Sequence, residues 1–282
     1  MERATKLRLA GLLMAIGGVW GALTQQPPAD LGMEKIADDL YVITGSGGNV
    51  AVLTTDEGAI LVDDKFERNV PQIVAKVKSV TDKPIKYVFN THQHGDHSGG
   101  NHALLTTTEI LSHKNARANM VKLSQPGLTR LTFSDEAAIH LGGKEVRARY
   151  FGAGHTNGDV VIYFPAHKLV HMGDLFVRAA PYLDYANGAS SDAWIKTLEG
   201  ALSLDFQTVI PGHGAVGKRD DLVKWKANFE TMRGRVREIT RQGKSKDELP
   251  KLLRVDDLVG WSIDGGFARS LPGLYDELSR SR

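Results

Sequence analysis

The sequence predicts a layered α/β fold, sheets covered on their outer faces by helices, on three observations. Short apolar runs in its first quarter are broken by glycine turns, as in a β-meander. An amphipathic segment with a helix start signal then leads straight into another apolar run, and strand-like and helix-like segments go on alternating to beyond residue 240. With 282 residues, 41% hydrophobic and 24% charged, the chain can bury one substantial core, and its length alone allows one or two domains.

The elements follow in order. Strands are predicted at Leu40–Thr44, Val50–Thr55 and Ala59–Asp63, separated by Gly45-Ser46-Gly47-Gly48-Asn49 and Asp56-Glu57-Gly58 as hairpin turns. Apolar Val70, Ile73, Val74, Val77 and Val80, with Pro71 in the first turn, predict a helix over Asn69–Val80. It feeds a strand at Ile85–Asn90. Further on come a strand at Glu109–Ser112, a helix around Asn115–Leu123, and strands at Ala137–Leu141, Glu145–Phe151, Val160–Phe164 and Leu169–Met172. A helix at Ser191–Ser203, a strand at Thr208–Pro211 and a long helix from Asp220 to about Gln242 complete the core.

The chemistry is concentrated in Asn90-Thr91-His92-Gln93-His94-Gly95-Asp96-His97-Ser98-Gly99-Gly100-Asn101. Three imidazoles and a carboxylate this close together would each need a partner or solvent in an ordinary polar loop, and a metal ion is the usual partner for such crowding. A strand would send His92 and His94 to one face, and a tight turn at Gly95 would swing Asp96 and His97 towards a second position beside the first. Three further candidates stand at the exits of short apolar runs: His155 in Gly154-His155-Thr156, Asp174 in Gly173-Asp174, and His213 in Pro211-Gly212-His213-Gly214.

The order His-X-His-X-Asp-His, Gly-His-Thr, Gly-Asp, Pro-Gly-His-Gly, from about Ile36 to at least Gly214, resembles the metallo-β-lactamase superfamily. The resemblance implies an αββα sandwich of two mixed sheets, with a dinuclear metal site at the sheet edges. It also implies roles: His92, His94 and His155 for a first metal, Asp96, His97 and His213 for a second, and Asp174 as a carboxylate bridging both. Two zinc ions per chain are expected. Carboxylate is a harder ligand than thiolate, so iron and manganese stay open as alternatives. In the zinc β-lactamases whose second metal is held by Asp, Cys and His the Asp174 position is cysteine, whereas members resembling glyoxalase II and the lactonases have the bridging aspartate there; this chain has no cysteine.

Other features resemble the β-lactamase branch. These are Gly154-His155-Thr156 with the run from Asp159 to Pro165, and the segment Asn187–Trp194, in which Asn187 falls near an asparagine that faces the substrate carbonyl. The lysine of that branch is replaced by Val177, with Arg178 beside it. The expected activity is that of an exported dinuclear-zinc hydrolase using a metal-bound hydroxide, oriented by Asp96, on a β-lactam or similar cyclic amide. A lactonase or thioesterase of the glyoxalase II type is the alternative, a mononuclear iron persulfide dioxygenase a further one, and a non-enzymatic zinc-binding protein the last.

Arg3, Lys6 and Arg8 ahead of the apolar stretch Leu9–Leu23, then Thr24-Gln25-Gln26-Pro27-Pro28, have the layout of a secretory signal peptide. The stretch is shorter than the ~20 residues of a bilayer span, so the mature protein is expected in the periplasm or secreted, with an uncleaved N-terminal anchor as the alternative. The expected organisation is a signal peptide over 1–24, a linker over 25–35, and one hydrolase domain over 36–282 with a C-terminal helical extension. A net charge of +2 gives no reason to expect nucleic acid, and Arg233, Arg235, Arg237, Arg241, Lys244 and Lys246 alternate with acids as a solvated helix face would. The expected partner is a small-molecule substrate, and the chain is read as monomer or dimer.

Two loops are expected to border the site: Gly45–Asn49, too short for a long apolar flap, and 179–190, with Pro181, Tyr182 and Tyr185, as a substrate wall or an ordinary connection. His102, His113, His140, His167 and His171 are read as surface or hydrogen-bonded core residues. Asp63, at the end of its strand, is a candidate to orient a ligand from behind. Trp261, Phe267 and Tyr275 either pack on the core or make a dimer contact.

Overall fold

A computed structural model describes residues 30–280; the expected signal peptide, and residues 25–29 of the expected linker, lie outside the described residues. The first sheet opens with β1 (Gly32–Ala37), β2 (Leu40–Thr44), β3 (Val50–Thr54) and β4 (Ala59–Val62), an antiparallel meander as expected. Strand β1 begins four residues ahead of the expected Ile36 boundary and runs across it, an element the sequence does not predict. It is an edge strand with Glu34 and Lys35 exposed, so it carries no alternating apolar signal.

Helix α1 (Val70–Lys78) leads to β5 (Ile85–Phe89), the one-turn helices α2 (Gly95–Ser98) and α3 (Asn101–Leu104), β6 (Glu109–His113), α4 (Lys114–Lys122) and β7 (Leu131–Phe133). Strands β4 to β7 are mutually parallel and complete a seven-stranded sheet in the order β1-β2-β3-β4-β5-β6-β7.

The second sheet contains β8 (Glu136–Leu141), β9 (Lys144–Arg149), β10 (Val161–Phe164), β11 (Leu169–His171), β12 (Thr208–Ile210) and β13 (Gly217–Lys218), in the order β13-β12-β11-β10-β9-β8. Only β11 and β12 are parallel in it, joined across α5 (Ser191–Leu202). Helices α6 (Arg219–Arg241), α7 (Leu249–Leu252) and α8 (Gly265–Arg280) follow.

Strand alternation explains the layering. Leu40, Val42, Ala51, Leu53, Ile60 and Val62 point between the sheets and meet Val146, Ala148, Ile162 and Phe164. Their sequence neighbours Ile43, Val50, Val52, Ala59 and Leu61 point outward onto Val70, Ile73 and Val77 of α1. On the far side, Val161, Val170 and Val209 meet Trp194 and Leu198 of α5, Trp225 and Phe229 of α6, and Phe267, Leu271 and Leu274 of α8. The fold is the expected αββα sandwich.

The C-terminal stretch packs on this core: Trp261 and Phe267 are buried in it and Tyr275 lies against it. Glu277 of α8 fixes the docking, accepting from Tyr185 Oη at 2.7 Å, Ser190 Oγ at 2.8 Å and the backbone N–H of Ser191 at 3.0 Å. The basic face of α6 departs from the solvated reading at Arg233, which is 5% exposed and paired with Asp192 and Ser191. No helix among the described residues is long and apolar enough to cross a membrane.

Candidate metal centre

The predicted ligands sit on loops that leave β5, β9, β11 and β12, at one edge of the sandwich. Strand β5 ends at Phe89, so His92 and His94 lie on the loop after it, and Asp96 and His97 on α2. The expected tight turn at Gly95 is absent. His94 caps α2 in an extended conformation (φ −64°, ψ 142°), and a Cβ added at Gly95 would meet nothing within 4 Å. The helix turn, not a glycine, swings Asp96 and His97 round.

Two donor groups result. In the first, His94 Nδ1 lies 3.1 Å from His92 Nε2 and 2.8 Å from His155 Nε2. In the second, His213 Nε2 lies 3.2 Å from His97 Nε2 and 3.2 Å from Asp96 Oδ2. Asp174 reaches both: Oδ2 is 3.6 Å from His155 Nε2 and 4.0 Å from His92 Nε2, while Oδ1 is 3.2 Å from His97 Nε2 and 3.4 Å from His213 Nε2. His92, His94, His155 and Asp174 have the mutual spacing of one metal-holding group, and Asp96, His97 and His213 that of another.

The outward ring nitrogens show that the inward ones are lone pairs. His94 Nε2 meets Asp184 Oδ2 at 2.8 Å, and His155 Nδ1 meets the Tyr182 carbonyl at 2.5 Å. His92 Nδ1 meets Thr91 Oγ1 at 3.0 Å, and since that hydroxyl donates to Asp63 Oδ2, it accepts from the ring. With the outer nitrogens donating, the inner nitrogens of the first group carry no proton and face one another at hydrogen-bond distance. Asp174 Oδ1, buried, accepts no aligned hydrogen bond. Lone pairs aimed at a common point and an orphaned buried carboxylate oxygen fit a divalent cation.

The electrostatics divide the same way. Burial and the neighbouring His94 hold His155 down to about 4, and burial with the His97 and His94 rings holds His92 well below the usual histidine range. Burial also opposes charge on His97 and His213, but Asp174 outweighs it, with Asp63 at His97 and Asp96 at His213. His97 is held well above its ordinary value and His213 is raised to about 9. The second group attracts positive charge; the first offers neutral rings.

Two glycines let the backbone close on these groups. A Cβ at Gly48 would fall 2.1 Å from His97 Cε1, and one at Gly212 2.0 Å from Asp174 Oδ1. His155 is set by a turn in which Asp159 accepts from the Thr156 N–H and hydroxyl, each at 2.7 Å. Asp63 meets His97 Nδ1 at 2.7 Å, the position suggested for it.

Asp184 was missed. Nothing in its local sequence marks it, and only the fold brings it to His94, 90 positions away. Replacing it with alanine should lower metal affinity by ~10–100-fold, the usual effect of losing a carboxylate behind a ligating histidine; a competitive zinc titration would show unchanged affinity if Asp184 does not orient His94.

Asn187, expected to face a substrate carbonyl, is turned away from the cavity. Its Nδ2 donates to Asp184 Oδ2 at 2.6 Å and its Oδ1 accepts from Lys122 at 3.2 Å, so it steadies Asp184. Asp184 captures it because both lie on one short helical turn, where Asp184 also accepts from the Asn187 N–H. Arg178 is turned away as well, bonded to Ala215 O, Val216 O and Asp221, while Val177 lines the cavity. That cavity, of about 540 Å³, is bounded by His94, Asp96, His155, Asp174 and His213 on its floor and by Tyr182, Phe267 and Arg269 on its walls. The 179–190 loop does form a wall, through Tyr182. Of the other histidines, His171 is a hydrogen-bonded core residue, His113 caps α4 and stacks on Tyr150, His167 meets Asp39, and His102 and His140 are exposed.

A family model described as the metallo-beta-lactamase superfamily matches residues 43–213. The chain belongs to the metallo-β-lactamase superfamily. Among curated relatives, a metallo-beta-lactamase type 2 of Bacillus cereus is 28% identical over 61% of this chain and 68% of its own length. Metallo-beta-lactamase IND-1 of Chryseobacterium indologenes is 27% identical over 58% and 71%. The 2,4-dinitroanisole O-demethylase subunit alpha of Nocardioides sp. (strain JS1661) is 24% identical over 64% of this chain and 56% of its own length. A metallo-beta-lactamase from Pontibacter korlensis shares the fold with a TM-score of 0.66 at 22% identity, covering 71% of this chain and 99% of its own. This metallo-β-lactamase superfamily member is a metal-dependent hydrolase.

Proposed function

We propose that this protein is an exported two-metal hydrolase of the β-lactam class of cyclic amides, with zinc in both positions. The observation that carries the two-metal reading is Asp174, whose two oxygens face one donor group each. His92, His94 and His155 would hold one ion, Asp96, His97 and His213 the other. A bound pair of divalent ions supplies a Lewis acid and acidifies water towards neutrality.

The chain's own groups do the rest. Asp96 borders the cavity with its carboxylate held below the ordinary range, despite burial, by His213 and His97, so it stays ionised and accepts a hydrogen bond from an attacking water. Tyr182 and Phe267 give the cavity an aromatic wall beside these groups. The β-lactam assignment is supported by the names of the relatives and by the Gly-His-Thr segment that carries His155. Export is supported by the basic and apolar residues over 3–23.

Asp174 itself favours a second reading, an ester, lactone or thioester hydrolase, because a carboxylate in this position goes with those branches of the resemblance. Metal content per chain, followed by nitrocefin and acyl-homoserine lactone turnover with and without chelator, separates the readings. Two zincs and chelator-abolished nitrocefin hydrolysis are expected. Two zincs with lactone turnover alone would transfer the assignment to the second reading, and one iron per chain would defeat both.

A further inference from the structure

Among the described residues one lysine or arginine lines the cavity over the metal centre, and it lies outside the segment that the superfamily model matches. Arg269 stands on α8, exposed to the cavity, with its guanidinium 5.3 Å from the centroid of the Tyr182 ring. Tyr182 stacks in turn on His94, centroid to centroid at 5.9 Å. The ring face steadies the guanidinium without neutralising it, and no carboxylate among the described residues pairs with Arg269.

The other cations near the site are engaged elsewhere. Arg178 is bonded to Asp221 and two carbonyls behind the cavity wall, Lys122 to Ala186 O and Asn187 Oδ1, and buried Lys65 to Gly48 O. The acid on the Arg269 rim is Asp264, which accepts from Ser262 Oγ at 2.6 Å. A guanidinium that meets the Tyr182 side chain but no carboxylate can still present a two-pronged pair of N–H donors to one substrate carboxylate. Asp264 disfavours a second negative charge on the same side.

We propose that Arg269 determines substrate class by binding a carboxylate that the substrate carries beside its scissile carbonyl. The preferred substrates are then monoanionic acyl compounds, not neutral ones. This rests on the hydrolase reading above and holds for an amide or an ester alike. The residue that performs the recognition is supplied by the C-terminal helix, which Glu277 clamps to the loop carrying Tyr182 and Tyr185.

The test uses the zinc-loaded full chain and its R269A and R269K variants, with thermal midpoints compared first to confirm an intact fold. Hydrolysis is measured on benzylpenicillin and its methyl ester, and calorimetric binding on hippurate and hippuramide. R269A should raise KM for the acid, and Kd for hippurate, by about three- to tenfold, between the value of an exposed ion pair and that of a hydrogen bond to a charged group. The neutral partners should be unchanged, and R269K should recover part of the loss. If neither penicillin is hydrolysed while hippurate binding still depends on Arg269, the β-lactam reading fails and this proposal stands. Wild-type protein that binds hippurate no better than hippuramide, or R269A that alters acid and neutral probes alike, overturns it.

Discussion

Replacing Asp174 with alanine is expected to remove one metal per chain and to lower kcat/KM by more than ~100-fold, beyond the 10–100-fold that partners behind the ligands usually cost. Each other ligand candidate belongs to one donor group, whereas Asp174 touches both, with Oδ1 towards His97 and His213 and Oδ2 towards His92 and His155. Its charge is also what holds His97 and His213 above their ordinary range against burial. Without it, three neutral rings remain in the first group, and the second is balanced only by Asp96 and by Asp63 behind His97. Asp174→Asn keeps the shape and discards the charge, so it should bind the second metal nearly as poorly as the alanine variant. Asp174→Cys should retain metal but shift preference towards zinc over manganese, because thiolate is the softer ligand. Metal analysis of the three variants, beside their turnover, is decisive: an alanine variant that keeps two metals and full activity would remove Asp174 from the centre.

The chemistry was legible in the sequence because metal ligation compresses it into short, unusual strings. His92, His94, Asp96 and His97 fall within six residues, and His155, Asp174 and His213 each follow an apolar run into a glycine turn. The strands buried on both faces were equally plain, since Val50–Thr54 and Ala59–Val62 have almost no polar interruption. What escaped notice lacked periodicity or depended on distant contacts. Strand β7 has three residues, two of them exposed, and β13 has two. Helix α8 contains Gly265, Gly266, Pro272 and Gly273, which read locally as helix breakers, yet Phe267, Ser270, Leu271, Leu274 and Leu278 are its buried stripe.

Asn187 illustrates the same limit at the site. Order and spacing placed it near a substrate carbonyl, but a neighbouring carboxylate, Asp184, takes its amide. Resemblance of order locates a residue to within a turn of chain, and a turn is enough to face it away from the cavity. Arg269 had no motif to announce it, and its place at the cavity depends on α8 folding back across the second sheet to reach the metal loops.

Asp63→Ala is expected to cost ~3–5 kcal/mol of folding stability, the range for removing one partner from a buried charged pair. Asp63 is fully buried, and its carboxylate accepts from the Thr91 N–H at 2.7 Å, the Thr91 hydroxyl at 2.8 Å and His97 Nδ1 at 2.7 Å. It therefore fixes the loop before His92 and the ring of His97 at once. Its φ of +64° adds to the loss, since alanine has no local hydrogen bond to offset a left-handed backbone. Asp63→Asn separates the two contributions. Asparagine tolerates that backbone, but its amide must present a donor to either Thr91 or His97, both already donors at this point. Its expected signature is a modest fall in stability with metal affinity reduced ~10–100-fold. Denaturant unfolding of the zinc-free variants measures the first quantity and competitive zinc titration the second. An asparagine variant that binds zinc as tightly as the parent would mean that Asp63 supports only the fold.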